Sequence, residues 1–411
     1  MKHFSLILFS LFLFVNASAQ HTIQGKVFDY GTKKPIENAS VYINNTSIGM
    51  KTNDLGAFRI NSKEIYKDLI ISALGYEKAV IELKKTSNSY TVYLMPKENS
   101  LSDVTISFDR NAWKKWGDIF SKMLLGVDVQ YSKGCEIVNP QDLQFYYDPE
   151  ENFLEVTSTK TLIVKNFDLG YFLNIDIDRF KYSFIEDHLI YDSTINYEYF
   201  KVKDRKNLNV QIATNYNYYG SKQHFFRSLY QNTLKEEGFQ LCSFRGVKNA
   251  EKERVTSKTQ KRYAELIAKG TSKIYLDNLD TDRDSALYFR RVLNQDDFLS
   301  IALDDVKIDD FIKYDTINKK LNFNFPDTLL LSYNRDNNLL NNFTNRKKVD
   351  PENRYTRLVT MLFLTDDNGV DIDESGFAFN NVLFTIGDIG SRRFSRELPL
   401  SYDPKIGRKL E

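Results

Sequence analysis

The sequence predicts a mainly β protein, in which a small β-sandwich is followed by an α+β region of antiparallel sheets and helices. Three observations predict this order. Short apolar alternations fill residues 22–95, with Gly, Pro and Asn at the breaks between them. A stripe at helical spacing begins near residue 113. Longer strand-like runs then alternate with helical blocks towards the C-terminus.

The chain opens with the features of a cleavable signal peptide, residues 1–19. Lys2 provides a positive start, Phe4 to Val15 form an apolar core, and small residues precede Gln20. The apolar run is too short for a bilayer span, which needs about 20 residues, and no cysteine follows it to accept a lipid. We therefore expect an exported protein that is periplasmic or associated with the outer membrane, with no transmembrane segment in the mature chain.

Composition excludes a nucleic-acid-binding surface based on net charge. Without Lys2 the chain carries as many basic as acidic side chains, 55 of each. Such a balance provides no electrostatic attraction for a polyanion. The chain has 411 residues, of which 42% are hydrophobic and 14% aromatic, so it can bury cores in two or three domains.

The sandwich strands follow from a period of two in the apolar residues. The first run, TIQGKVFD, places Ile23 and Val27 on one face. The same period recurs in five later runs: ASVYIN, GAFRI, DLIISA, KAVIELK and YTVYLM. Breaks such as DYGTKKP and NNTSIG carry turn residues, which predicts an antiparallel sandwich.

The stretch TNDLGAF joins two of these runs and suits a tight turn better than a ligand site. It lacks the glycine run and Lys-Ser/Thr pair of a phosphate loop, and the alternating oxygen ligands of a calcium loop. Asp54 and Gly56 tolerate turn geometry, and Phe58 starts the inward face of the next strand. We assign structural turn roles to Asp54, Gly56 and Phe58, and to Gly75 at the later corner LGYE.

Three stretches together carry a family resemblance: IQGKVFDYGTKKPIENASVYI, TNDLGAF and ISALGY. They resemble the carboxypeptidase regulatory-like domain, a transthyretin-like sandwich frequent in exported proteins of Bacteroidetes-type bacteria. The resemblance implies a seven-strand, prealbumin- or immunoglobulin-like β-sandwich at residues 21–96. In that family the domain accompanies peptidases or outer-membrane receptors and supplies no catalytic residue.

A linker at 97–108 separates the sandwich from the C-terminal region, 109–411, which divides again near 245–270. This region is similar to the part found behind that sandwich in uncharacterised exported proteins, through phrases such as KGCEIVNPQDLQFYYD and LPLSYDP. No site residue is carried over from that group. The chain closes with a basic tail, SRRFSRELPLSYDPKIGRKLE.

Local patterns predict several elements of the C-terminal region. The stretch NAWKKWGDIFSKMLLG is an amphipathic helix with this apolar stripe: Trp113, Trp116, Phe120 and Leu124. Residues 148–152 form a hairpin loop. A helix can run from a Ser221 cap to Gly238. Asn368-Gly369 is a hairpin signal between LFLT and VDID, with calcium binding by the surrounding carboxylates as a second interpretation.

The local motif of a zinc carboxypeptidase is not found in the sequence, and a zinc site assembled from all three histidines of the mature chain is the alternative that geometry leaves open. Such a site needs imidazoles and a carboxylate on the metal. The mature chain has only His21, His188 and His224, and no two of them share a local motif. The sequence also lacks a nucleophile elbow and the Rossmann and P-loop glycine patterns. We therefore assign no catalytic, cofactor-binding or metal-ligating residue and expect no cofactor.

The acidic segment LDTDRDSA has the spacing of a calcium loop in three carboxylates: Asp280, Asp282 and Asp284. Ser285 stands where the loop needs glycine, and Arg291 where it needs the bidentate glutamate. The segment therefore indicates an exposed, acidic helix start.

Two cysteines, Cys135 and Cys242, leave two alternatives open. In an oxidising envelope they could form one disulfide. Otherwise they are two buried thiols.

Three functions of different class remain. The favoured one is a non-catalytic, extracytoplasmic interaction or structural protein of the outer-membrane envelope, with an envelope protein or a surface glycan as its partner. The second is an envelope hydrolase with a dispersed carboxylate site in the C-terminal region. The third is an accessory to an outer-membrane transporter. None of them involves nucleic acid.

Overall fold

A computed structural model describes the chain in these ranges: 21–84, 87–97, 112–126, 133–185, 188–200, 208–268, 283–336, 355–380 and 382–404. The predicted signal peptide lies outside them, and so does the predicted linker apart from residue 97.

Seven strands form the N-terminal sandwich, as the family resemblance implied. They are β1 (His21–Asp29), β2 (Ser40–Ile43), β3 (Gly49–Lys51), β4 (Ala57–Ser62), β5 (Asp68–Ser72), β6 (Ala79–Glu82) and β7 (Ser89–Leu94). One sheet has the order β4-β1-β7 and the other β3-β2-β5-β6. The alternating apolar residues of both sheets meet in one core, which includes Val27, Val41 and Leu69, each with no exposed surface.

One pairing in the sandwich differs from the prediction of an antiparallel fold. Strand β1 pairs with β4 antiparallel but with β7 parallel, from Gln24 opposite Ser89 to Asp29 opposite Leu94. The reason is that a period of two specifies which side chains face the core, whereas it does not specify the direction of the neighbouring strand.

Two turn glycines of the sandwich offer a matched test of backbone and steric effects. Gly56 and Gly75 have φ of +68° and +83°. A Cβ on Gly56 would lie 2.4 Å from the Val27 carbonyl oxygen, whereas a Cβ on Gly75 would meet nothing within 4 Å. We expect Gly75→Ala to cost about 1 kcal/mol from left-handed strain alone, and Gly56→Ala about 2 kcal/mol because the clash is added. Urea unfolding of both variants measures this, and equal losses would contradict the steric difference.

The second unit is a helix packed on a six-stranded sheet. The helix is α1 (Ala112–Leu125), and the strands are β8 (Cys135–Ile137), β9 (Leu143–Asp148), β10 (Phe153–Ser158), β11 (Leu162–Asn166), β12 (Tyr171–Ser183) and β13 (His188–Tyr199). The sheet order is β8-β11-β12-β10-β9, with β13 on β12. Phe120 and Leu124 of the predicted stripe are buried against the sheet, Trp116 packs beside them, and Trp113 is exposed.

The third unit contains helices and two further antiparallel sheets, with orders β15-β14-β18-β19-β21 and β16-β17-β20. Its helices are α2 (Leu208–Tyr218), α3 (Lys222–Tyr230), α4 (Ala250–Ala268), α5 (Arg283–Leu293) and α6 (Asp388–Ser391). Its strands are β14 (Phe239–Lys248), β15 (Phe298–Asp305), β16 (Ile312–Asp315), β17 (Lys320–Phe323), β18 (Thr328–Asp336), β19 (Tyr355–Leu364), β20 (Val370–Ile372) and β21 (Leu383–Gly387).

Two local predictions for this unit are corrected. The Ser221 hydroxyl caps α3 by accepting the His224 amide, but the helix ends at Tyr230 and does not reach Gly238. Asn232, with φ of +55°, breaks the helical path soon afterwards. Asn368-Gly369 does form a turn, with Gly369 at φ +75°, yet it joins β19 to a strand of the other sheet and closes no hairpin.

The sandwich joins the second unit through backbone hydrogen bonds at the β2–β3 turn. The Asn45 amide donates to the Ile195 carbonyl at 2.9 Å, and the Tyr197 amide donates to the Thr46 carbonyl at 3.0 Å. These bonds give Thr46 and Asn196 a parallel bridge. The sandwich is therefore fastened to β13 by main-chain pairing, whose geometry is more restrictive than that of surface side chains.

Candidate ligand-binding cleft

The last described residues, 388–404, form a segment that contacts all three units, and we call it the C-terminal strap. Its Leu400 amide donates to the Asn45 carbonyl of the sandwich at 2.7 Å. Phe394 is buried in the core of the second unit, and Ile389 in the core of the third. The strap therefore fixes the three units at one junction.

Arg227 of α3 holds the distal half of the strap. Its guanidinium donates to the carbonyls of Leu400 at 2.6 Å and Tyr402 at 2.8 Å. It also donates to the Ser375 carbonyl at 2.9 Å. The planar fork of arginine can serve three acceptors at once, which a lysine ammonium on a single stem does less well.

Two further arginines anchor the proximal half of the strap to Asn217, which is fully buried. Arg392 donates to the Asn217 carbonyl and Arg396 to its side-chain oxygen, each at 3.0 Å. Arg392 also pairs with Asp388 at 2.6 Å. Both arginines are themselves buried, so their charges serve mainly to hold the strap in place.

A cavity of about 280 Å³ lies at the junction, and we call it the basic cleft. The charged side chains that line it are Lys222, Arg392, Arg393, Arg396 and Glu397. Tyr191 and Tyr197 of β13 and Thr385 of β21 add hydroxyl groups to the lining. Asn45 of the sandwich also lines the cleft, at its rim. Every unit thus contributes to the cleft, and its lining has four cationic side chains against one carboxylate.

Two oppositely charged side chains of the cleft have pKa values shifted in the direction that favours their neutral forms. Lys222 has exposed surface, yet desolvation by the surrounding protein lowers its pKa, against the attraction of Glu397. Desolvation likewise raises the pKa of Glu397, and the charges of Lys222 and Arg393 oppose this. Titratable groups perturbed in this way are concentrated in functional clefts.

Comparison with known proteins adds one positive finding. Residues 23–106 match the family model described as the CarboxypepD_reg-like domain. The chain contains a carboxypeptidase regulatory-like domain. Its seven-strand sandwich agrees with that assignment, and such a domain is a non-catalytic, immunoglobulin-like module.

Other comparisons add little. No curated protein matches the chain. Among solved structures, a 9R-lipoxygenase from Cyanothece PCC8801 is 10% identical, with 51% of this chain and 48% of that chain covered and a TM-score of 0.16. This chain thus spans about half the length of that lipoxygenase. A putative membrane-associated protein of unknown function from Bacteroides fragilis is 9% identical, with coverage of 90% and 98% and a TM-score of 0.16. At such TM-scores neither likeness bears on fold or function.

The turn residues of the regulatory-like domain contact neighbouring groups of the same domain. The Asp54 carboxylate accepts the Leu55 amide at 3.0 Å. The Gly56 amide donates to the Asn53 carbonyl at 2.9 Å, and Phe58 enters the sandwich core. Among the described residues, no group of three His, Cys, Asp or Glu side chains is placed to hold a metal ion.

The three histidines lie apart from one another. His21 starts β1 in the regulatory-like domain, and His188 starts β13 beside Phe384. His224 is buried: its Nδ1 accepts the Gly220 amide, and its Nε2 lies 3.1 Å from Glu237. Desolvation lowers the pKa of His224, against the attraction of Glu237. This histidine therefore stabilises the start of α3 and does not line the cleft.

The two cysteines are not bonded to each other in this structure, and Cys135 is partly buried whereas Cys242 is buried. Cys135 lies in β8 of the second unit and Cys242 in β14 of the third. Burial raises the pKa of Cys135 to about 12, which keeps it protonated and unreactive. The Cys242 thiol donates to Asp305 at 3.8 Å.

No described carboxylate of the two acidic segments lines the cleft. Asp280 and Asp282 are outside the described residues, and α5 begins at Arg283. Asp366 and Asp367 line an open groove of about 790 Å³ on the third unit. In the described ranges, no helix is both long enough and apolar enough to cross a membrane.

Sequence reasoning missed Lys222, Arg393 and Glu397 as site residues. Arg393 and Glu397 belong to the stretch interpreted as a basic tail, and Lys222 follows the predicted helix cap. One signal was present. Phe394, Leu398 and Leu400 are interspersed among the charges of that tail, and apolar residues in a basic segment indicate packing onto the fold.

Proposed function

We propose that the protein is a non-catalytic, extracytoplasmic binding protein of the outer-membrane envelope, and that the basic cleft is its binding site. One observation carries this proposal. The regulatory-like domain contributes Asn45 to the cleft rim, and the Asn45 carbonyl accepts the Leu400 amide of the strap. A domain that forms part of the cleft wall contributes to the shape of the binding site without supplying catalytic residues. This role agrees with the non-catalytic character of that domain.

The groups around the cleft favour binding over hydrolysis. Glu397 is the one carboxylate among its lining residues, whereas glycoside hydrolysis commonly uses a pair of carboxylates. His224 has both ring nitrogens engaged by Gly220 and Glu237, so it has none to spare for proton transfer to a substrate. These contacts support recognition of a ligand without its conversion.

The proposed location rests on the first residues of the chain. A positive start, a short apolar core and small residues before Gln20 are typical of export. We expect cell fractionation to place the protein in the envelope, with Gln20 as the mature N-terminus by mass spectrometry. Recovery in the cytosol with Met1 intact would contradict the proposed location.

The binding function is tested by co-purification from envelope fractions under gentle detergent. We expect a specific envelope component to accompany the wild-type protein and to be retained by the double variant His21→Ala/His188→Ala. His224 is left unchanged because it is a buried structural residue. A double variant that folds and keeps its partner but loses its biological function would favour a histidine-dependent enzyme instead. A transporter among the captured partners would identify the accessory role.

The hydrolase alternative has a separate test at the open groove of the third unit. Its carboxylates are Asp310, Asp327, Asp366 and Asp367. Under the proposed function, Asp366→Asn/Asp367→Asn leaves the envelope phenotype unchanged. If a folded double variant lost the wild-type envelope phenotype, the result would place the functional site in this groove and not in the cleft.

A further inference from the structure

Two of the cations in the basic cleft are not neutralised by a direct ion pair. Arg392 pairs with Asp388, and Arg396 donates to Asn217. In the described part of the chain, neither Lys222 nor Arg393 has a carboxylate within the 4.0 Å of an ion pair. Glu397 is close enough to influence the pKa of Lys222 but does not contact it directly. A space therefore separates these three charges.

The start of α3 adds to the positive character of this space. Ser221, Lys222 and Gln223 line the cleft, and they are the cap and the first turn of the nine-residue helix. The Ser221 hydroxyl accepts a hydrogen bond from the His224 amide, and no described residue is recorded as accepting from the amides of Lys222 and Gln223. Unsatisfied amides and the helix dipole attract an anion at this position.

Buried tyrosines on β13 form an independent feature of the same space. Tyr197 is only 3% exposed, and it lines the cleft. No described residue hydrogen-bonds to its hydroxyl, whereas Tyr171 beside it donates to the Glu397 carbonyl. Although the residue is buried, its hydroxyl oxygen is not among the enclosed polar atoms without a partner in the described part of the chain, so this hydroxyl can donate to a polar group of a ligand.

We propose that the basic cleft binds a small acidic sugar, whose carboxylate or phosphate group lies between Lys222 and Arg393. The inference rests on the proposed function and specifies its ligand. The Glu397 carboxylate accepts hydrogen bonds from hydroxyl groups of the sugar, and the Tyr197 hydroxyl donates a hydrogen bond to a ring or hydroxyl oxygen. The cleft volume of about 280 Å³ is close to the lower end of known ligand pockets, about 300 Å³, which suits a single sugar ring.

Calorimetric titration of the full mature chain tests this proposal. The probes are D-glucuronate for a carboxylate, D-glucose 6-phosphate for a phosphate, and D-glucose as the neutral comparison. We expect one acid to bind, with an affinity that falls as salt is raised, and glucose to bind at least about tenfold more weakly. The stronger acid identifies which anionic group the cleft accepts.

Matched variants locate the site. Lys222→Gln and Arg393→Gln should each lower the affinity for the bound acid by about tenfold or more, because each removes a charge-assisted contact. Lys114→Gln and Arg291→Gln remove exposed cations far along the chain and should leave affinity unchanged. Thermal unfolding confirms folding, and Lys222→Met, which also removes the charge, replaces Lys222→Gln if that variant unfolds.

Three outcomes would overturn the inference: neither acid binds at millimolar concentration, glucose binds as well as the acids, or the cleft variants keep full affinity. With envelope co-purification intact, any of these removes the acidic-sugar ligand and leaves the proposed function standing. NMR of the titration mixtures tests separately whether the proposed non-catalytic function fails. Conversion of a bound probe to a product would contradict the non-catalytic function.

Discussion

Replacing Phe394 with alanine is expected to lower the free energy of unfolding by about 3–5 kcal/mol, the usual loss for a buried phenylalanine. Phe394 is 3% exposed and packs in the core of the second unit. Its ring meets Tyr191 edge to face, with centroids 5.6 Å apart. The cavity left by alanine would adjoin the basic cleft, so we also expect weaker ligand binding. Urea unfolding measures the first effect and calorimetric titration the second.

Phe384→Ala is the matched control, because the same side chain on β21 is 43% exposed. We expect this change to cost less than about 1 kcal/mol, as surface substitutions usually do. If Phe394→Ala proved as mild as the control, the strap would not be an integral part of the core.

Replacing Arg227 with alanine is the second large effect, with an expected loss of about 3 kcal/mol. The change removes charged donors from the carbonyls of Ser375, Leu400 and Tyr402. A partly buried acceptor left without its donor costs about 1–3 kcal/mol, and the short aliphatic side chain of alanine restores none of the three bonds. Urea unfolding measures the loss.

Two controls accompany this variant. Arg227→Lys keeps the charge but not the planar fork, so it should recover only part of the lost stability. Arg291→Ala removes an exposed arginine from α5 and should change stability by less than about 0.5 kcal/mol. Full recovery by lysine would show that the charge matters and the three carbonyl contacts do not.

The sandwich could be predicted because its information is local. A period of two in TIQGKVFD and GAFRI identifies the inward residues, and Gly56 marks the turn between strands. The same holds for α1, whose stripe of Phe120 and Leu124 lies on the sheet. What local information leaves undetermined is strand direction and strand partner, as the parallel β1–β7 pair and the Asn368-Gly369 turn show.

The basic cleft could not be predicted, because its residues meet only through long-range contacts. The Arg396 side chain reaches Asn217, and Arg227 reaches Leu400. In the sequence, Arg392, Arg393 and Arg396 form a charged run, for which a solvated tail is the usual expectation. The burial of Arg392 and Arg396 depends on partners far along the chain that no periodicity identifies.

Hydrogen exchange at the junction tests most directly the claim that the regulatory-like domain and the strap form one wall of the cleft. The amides concerned are those of Asn45, Tyr197 and Leu400, which donate to Ile195, Thr46 and Asn45. We predict that all three are protected from exchange, and that Phe394→Ala lowers the protection of Leu400 most. If all three exchanged as fast as amides of an unstructured peptide, the domain would not be docked at the junction, and the basic cleft would not exist in solution.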